Sequence, residues 1–319
     1  MKILDANAIS GPLTYGFPSL NGFLGATHAL ERKLNASSDF PDIQFDGVLI
    51  ACRDHKIKID TSGYDGRFIQ KRAPIKRDGK TASITEEGYV DLTVSLIIRA
   101  KGSETEFLNS ESNKELLEKK FKNFCLSQRF AGGAVISIEK ISFYPTEQAD
   151  SLKKLLLPSY VLIDATDEAM SIYEEMVQGY RSDADEEIDE NTGEIKNRVH
   201  NPLGSNPTAS TLDILLSTLI TYQIPPESDD GIWQSYSFKS GRGWLVPIPI
   251  GYQAISNKYE PHSIKAVRNP NYPSQFVETI YALGKWEFPH RLKGDFNQYF
   301  WRYTETVENL YLIQPNYTD

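Results

Sequence analysis

The chain is poor in the residues that build cross-linked, metal-bound or membrane-embedded proteins. Its 319 residues hold two cysteines, Cys52 and Cys125. They lie far apart and outside any CxxC spacing, which argues against both a disulfide framework and a zinc site. No apolar run approaches the roughly 20 residues that span a bilayer. No basic-then-apolar leader stands at the front of the sequence. A cytoplasmic protein with no membrane partner is expected. The signatures of familiar catalysis are missing too: there is no GxSxG elbow, P-loop, dinucleotide fingerprint or HExxH pair. The five histidines show no ligand spacing, so no catalytic residue, metal or cofactor is expected.

A positive charge excess is also lacking, since the net charge is −9. Taken alone, that argues against nucleic acid. The distribution argues otherwise. Between Arg53 and Lys80 nine Lys and Arg face four Asp. Between Asp183 and Glu190 there are six carboxylates and no base, and without them the net charge would be −3. A basic segment on an acidic chain suits a partner gripped locally.

Organisation starts in the stretch from Asp5 to Leu34. Ile3, Leu4, Ala6, Ala8 and Ile9 predict a short strand, stopped by Ser10-Gly11-Pro12. Ser19 is the expected N-cap of a helix in which Leu20, Phe23, Leu24, Thr27, Leu30 and Leu34 share one face. Asn21, Gly25, His28 and Arg32 fall on the other. Phe45–Cys52 predicts a buried strand, residues 53–85 a basic hairpin with Asp78-Gly79 at its tip, and Tyr89–Ala100 a third strand. A helix over Glu111–Arg129 follows, its buried side carrying Leu116, Leu117, Phe121, Phe124, Cys125 and Leu126. A strand over Ala134–Ser142 comes next.

That order is βαββαβ with an inserted hairpin. The expected class is α/β (α+β), with a ferredoxin-like, RRM-like domain over 1–145 and a C-terminal extension over 146–319. Within the extension, 181–210 is polar and is expected to be a mobile loop. Trp244–Tyr252 is not expected to be a central strand, because Pro247 and Pro249 each remove a ladder donor. Trp244 and Trp286 are expected in the core, and Asp295–Tyr303 in a short helix.

Several blocks are specific enough to carry a resemblance. They are Asn7-Ala8-Ile9-Ser10 with Pro12-Leu13-Thr14 and Gly16-Phe17-Pro18; Phe23, Gly25, His28-Ala29-Leu30 and Arg32; RDGKTASITEEG from Arg77 to Gly88; GWLVPIPIGYQAIS from Gly243 to Ser256; and FVETIYALGKWEFPHRL from Phe276 to Leu292. In these the chain resembles the second subunits of the Csy complex, the RNA-guided surveillance complex of type I-F CRISPR systems. That family is a divergent Cas-five-like branch of the RAMP superfamily. Asp5 departs from it, standing where an asparagine is common. The segment from about Thr146 to Gly241 shows little likeness.

The resemblance implies a non-catalytic subunit in antiviral defence. Its implied partners are the 5′ handle of a CRISPR RNA, the large Csy subunit and the repeated backbone Csy subunit. The residues expected to meet RNA are Asn7, Ser10, His28, Arg32, Arg67, Arg72, Lys76, Arg77, Arg129, Arg268, His290 and Arg291. Arginine suits bidentate phosphate contacts, and a single-stranded handle exposes base edges. Two alternatives stay open: a RAMP-type ribonuclease using His28, and a purely structural protein clamp.

Overall fold

The computed structural model describes residues 1–37, 40, 42–72, 75–101, 110–145, 148–181, 187–188, 195–196, 199–226 and 231–315. Of residues 71, 85, 86, 149, 150, 187, 188, 195, 196, 305 and 306 it gives the backbone alone. The chain forms two compact units: Met1–Leu162 with Ile248–Tyr281 and Phe288–Asp319, and Ile163–Pro247 with Ala282–Glu287. This division differs from the expected split after residue 145. The two C-terminal blocks form neighbouring strands, Trp244–Ala254 and Val277–Glu287.

The first unit is built on β1 (Lys2–Asn7), α1 (Leu20–Asn35), β2 (Gln44–Asp60), β3 (Tyr89–Lys101), α2 (Glu111–Leu126) and β4 (Gly133–Ser137). The strands lie in the order β4-β1-β3-β2, each pair of neighbours antiparallel. Periodicity explains the elements. Val90, Leu92 and Val94 alternate inward along β3, as a sheet with one wet face requires. Val48 to Ala51 of β2 form a continuous apolar run and are all buried. α1 buries Leu20, Phe23, Leu24, Ala26, Thr27, Leu30 and Leu34, the face that its spacing predicts, and leaves Gly25, His28 and Arg32 exposed. Ser19 takes the N-cap position without a side-chain capping bond. Of the α2 residues expected inside, Leu117 and Cys125 are buried, whereas Leu116 and Leu126 are exposed.

A C-terminal hairpin, Trp301–Val307 with Leu310–Pro315, extends this sheet. Trp301 pairs with Val48 of β2, and its indole N–H donates to the Leu162 carbonyl at 2.9 Å. The expected helix over Asp295–Tyr303 is therefore one 3-10 turn, Phe296–Tyr299, followed by a strand. Trp244–Ala254 is also a strand, with a neighbour on each side. Its two prolines precede the stretch Gly251–Gln253 that pairs with Leu310–Leu312, so the missing donors do not interrupt that ladder.

In the second unit, α-helix Thr166–Gln178 ends at Gly179 in the left-handed region, φ 79°, where glycine carries no Cβ penalty. Helix Thr211–Ser217 starts with a capping box between Ser210 and Asp213. Ile172, Met176, Ile214, Phe238, Leu245 and Leu283 form the core. The polar stretch from 181 is not all loop: Tyr180–Arg181 pairs with Val199–His200, and Glu187–Ile188 with Ile195–Lys196. Most of the acidic run, 183–186 and 189–190, lies outside the described residues. Trp286 is buried as expected, but Trp244 is 52% exposed, its ring 6.5 Å from that of Trp286.

Candidate nucleic-acid interface

The basic segment divides at Asp60. Arg53–Asp60 is not hairpin but the outer half of β2, with Asp54 to Lys58 paired to Thr93 through Tyr89. Its charges hid it in the sequence, where only Ile57 and Ile59 mark an apolar face. Beyond it, Ile59–Asp60 pairs with Arg67–Phe68, and Gln70–Arg72 pairs with Ile84–Glu86. The tip is a turn in which Gly79 donates to the Lys76 carbonyl at 3.0 Å. Gly79 has φ 77°, the conformation that favours glycine at this Asp-Gly position. Arg67, Arg72, Lys76 and Arg77 are exposed. Among the described residues none of the four makes an ion pair. Exposed arginines suit bidentate contacts to phosphates.

Where this hairpin joins the sheet, Lys58 binds Asp5 at 2.6 Å and Asp91 at 2.9 Å. Burial pushes the Lys58 amine down, but its hydrogen bonds to the two carboxylates outweigh that and hold its pKa above the ordinary lysine value. Asp5 has φ 54° at a bulge in β1 and is an ion-pair partner of Lys58. Its departure from asparagine thus has a structural reason.

A second group surrounds the start of α1. Asn7 Oδ1 accepts from the Ile9 amide at 3.0 Å, and Ser10 Oγ lies 2.7 Å from Thr14 Oγ1. Both side chains shape the turn Ile9–Tyr15. Arg129 donates to the Gly132 carbonyl at 3.2 Å, and the next turn joins α1 through the Ala131 amide and the Gly22 carbonyl, 3.2 Å apart. The loop is held from the far end of the chain as well, where the Leu13 amide donates to Tyr281 Oη at 3.0 Å.

Sequence reasoning missed the tyrosines beside α1. Asn21 Nδ2 donates to Tyr252 Oη at 2.8 Å. Tyr252 stands opposite Tyr311 across two strands, with rings 6.3 Å apart. Tyr311 in turn lies 4.9 Å from Tyr303. The signal was present in Tyr252 of the GWLVPIPIGYQAIS block and in the Trp301-Arg302-Tyr303 alternation. A helical reading of the latter concealed it.

Other expected residues lie apart from these groups in the chain. Arg268 is exposed in the loop between Ala254 and Val277. His290 and Arg291 sit on a 3-10 turn, with the His290 ring edge-on to Phe288 at 4.8 Å. Burial pushes both cysteine thiols up to about 12, and both are free. No group of three His, Cys, Asp or Glu among the described residues is placed to hold a metal. No helix among them is long and apolar enough to cross a membrane.

The fold and site thus define an α+β protein with an exposed basic hairpin and a polar helix face beside a group of strand tyrosines. Comparison with known proteins gives the family. The profile of the family CRISPR-associated protein (Cas_Csy2) matches residues 1–313. The chain is 31% identical over 328 positions to the CRISPR-associated protein Csy2 of Pseudomonas aeruginosa (strain UCBPP-PA14), covering 98% of this chain and 92% of that relative. The chain belongs to the Csy2 family, which supplies a subunit of the type I-F CRISPR Csy complex in antiviral defence.

Proposed function

We propose that this protein binds the 5′ handle of a CRISPR RNA without cutting it, paired with the large Csy subunit and touching the first repeated backbone subunit. The observation that carries this reading is the exposed hairpin bearing Arg67, Arg72, Lys76 and Arg77 in a chain of net charge −9. Such a chain repels nucleic acid except where cations are gathered. The rest of the surface favours a basic protein partner. The strand order β4-β1-β3-β2 with α1 and α2 supports a ferredoxin-like RAMP unit, an arrangement used for single-stranded RNA elsewhere.

The absence of catalysis is argued from α1. His28 shares its ridge with Arg32, which stays protonated and is a poor proton carrier. Specific scission needs a second group that gains or loses a proton within hydrogen-bond reach. Incubating the purified protein with a repeat transcript should leave the RNA whole, for both the wild type and His28→Ala. Scission by the wild type that His28→Ala abolishes would replace this reading by a nuclease.

Co-expression with the neighbouring subunits and a guide tests the binding itself. The expected result is a complex in which the 5′ handle is protected from added nuclease and crosslinks to this subunit. A handle that crosslinks only to other subunits would make this protein a structural clamp.

A further inference from the structure

We propose that Tyr303 and Tyr311, with His28 and Arg32 of α1, form a second RNA subsite, which stacks one unpaired base and holds its adjoining phosphate. The proposal rests on the reading of this chain as a single-stranded RNA binder and adds a site outside the basic hairpin.

The tyrosines are unusual for their combination of order and exposure. Tyr303 is 37% and Tyr311 43% exposed. Their phenols are hydrogen bonded to each other, their rings lie 4.9 Å apart, and Tyr311 stacks at 6.3 Å on Tyr252. Tyr252 is fixed by Asn21 Nδ2 at 2.8 Å. The rings are therefore anchored through side chains from one helix and three strands, and a base that stacked on them would cost little further side-chain ordering.

The helix supplies the polar and charged groups. A Cβ on Gly25 would sit 4.0 Å from Tyr303 Oη, at ordinary van der Waals distance, so this turn of α1 lies directly beside that phenol. His28 and Arg32 follow at three and seven residues, one and two turns farther along the same ridge, and both are exposed. An aromatic platform flanked by an imidazole and a guanidinium matches the two halves of a nucleotide. Stacking serves any base, and the guanidinium and an imidazole N–H serve the phosphate. An apolar protein side chain would use the rings but leave the guanidinium and the imidazole without a counterpart.

The test uses the purified full-length chain and a single-stranded RNA of the repeat-derived 5′ segment, with and without 5-iodouridine. Wild type, Tyr303→Leu/Tyr311→Leu, and Tyr303→Phe/Tyr311→Phe are compared. Loss of the rings should weaken binding at least about fivefold, the lower end of what one base stack contributes. The salt slope should stay unchanged, since no phosphate contact is removed, and the phenylalanine variant should bind like the wild type. Iodouridine should crosslink to Tyr303 or Tyr311. If wild-type protein binds no RNA, the proposed function itself falls. If it binds, but the leucine variant binds equally and neither tyrosine crosslinks, this subsite is wrong and the hairpin reading stands. A leucine variant that keeps RNA but loses a Csy subunit would assign the face to protein. Should the leucine variant fail to fold, the crosslink decides.

Discussion

A methyl group on Gly251 would lie 2.0 Å from the carbonyl oxygen of Tyr311. The two residues belong to paired strands, with Gly251 opposite Leu312 and Tyr252 opposite Tyr311. The obstacle is backbone, which cannot rotate away as a side chain can.

Gly251→Ala is therefore expected to force the strands apart and destabilise the first unit by more than the ~1 kcal/mol typical of a point substitution. Gly11→Ala provides the contrast. Its methyl would come within 2.3 Å of Tyr281 Oη, the far end of a half-buried side chain that can move at the cost of its bond from Leu13. Urea midpoints should fall clearly for Gly251→Ala and only slightly for Gly11→Ala. Equal shifts would mean that the strand pairing is looser than described.

In the second unit, Glu175 and Arg242 are 3% and 5% exposed and meet at 2.7 Å. Arg242 also donates to the Phe238 carbonyl at 2.9 Å, and Tyr236 donates to Glu175. Burial, with that bond to Glu175, pushes the Tyr236 phenol above the usual tyrosine range. Arg242→Met leaves the carboxylate buried without its cation and should cost roughly 3–5 kcal/mol of stability. Adding Glu175→Gln should restore part of the loss in a denaturation series. No recovery in the double variant would show that the guanidinium acts through the Phe238 carbonyl instead.

Asp46 carries a pH dependence. Burial is the largest influence on it and pushes its pKa up, but the hydrogen bonds and charges of Lys101 and Arg99 bring it below 3.8. A carboxylate depressed in the folded state stabilises above its unfolded value and loses that contribution as pH falls through the folded one. Asp46→Asn should thus be less stable than the wild type at neutral pH, and the gap should close once pH is well below 3.8. A gap that persists in acid would place the effect in packing.

Much of the first unit was legible because its elements obey simple periodicities. The α1 stripe from Leu20 to Leu34 and the Val90-Leu92-Val94 alternation each name a secondary structure and a buried face. What escaped had another cause. The outer half of β2 carries Arg53, Asp54, His55, Lys56 and Lys58, and its only apolar alternation, Ile57 with Ile59, is too short to stand out among those charges. Trp244–Ala254 looked excluded by two prolines, yet pairs with the C-terminal hairpin only beyond them. The interface divided in the same way. Clustered charge in the hairpin is visible in one dimension. The tyrosine group joins residues 252, 303 and 311 to Asn21, a neighbourhood that exists only after the sheet has formed.

The most direct test of RNA recognition is the salt dependence of binding to a single-stranded 5′-handle RNA. Wild-type protein is compared with Arg72→Ala/Lys76→Ala/Arg77→Ala. Each phosphate neutralised on a single strand contributes about 0.7 to the slope of log K against log salt, so the triple variant should lose roughly two from that slope together with most of its affinity. A slope that stays the same in the variant would contradict the account and leave the hairpin as a contact for protein.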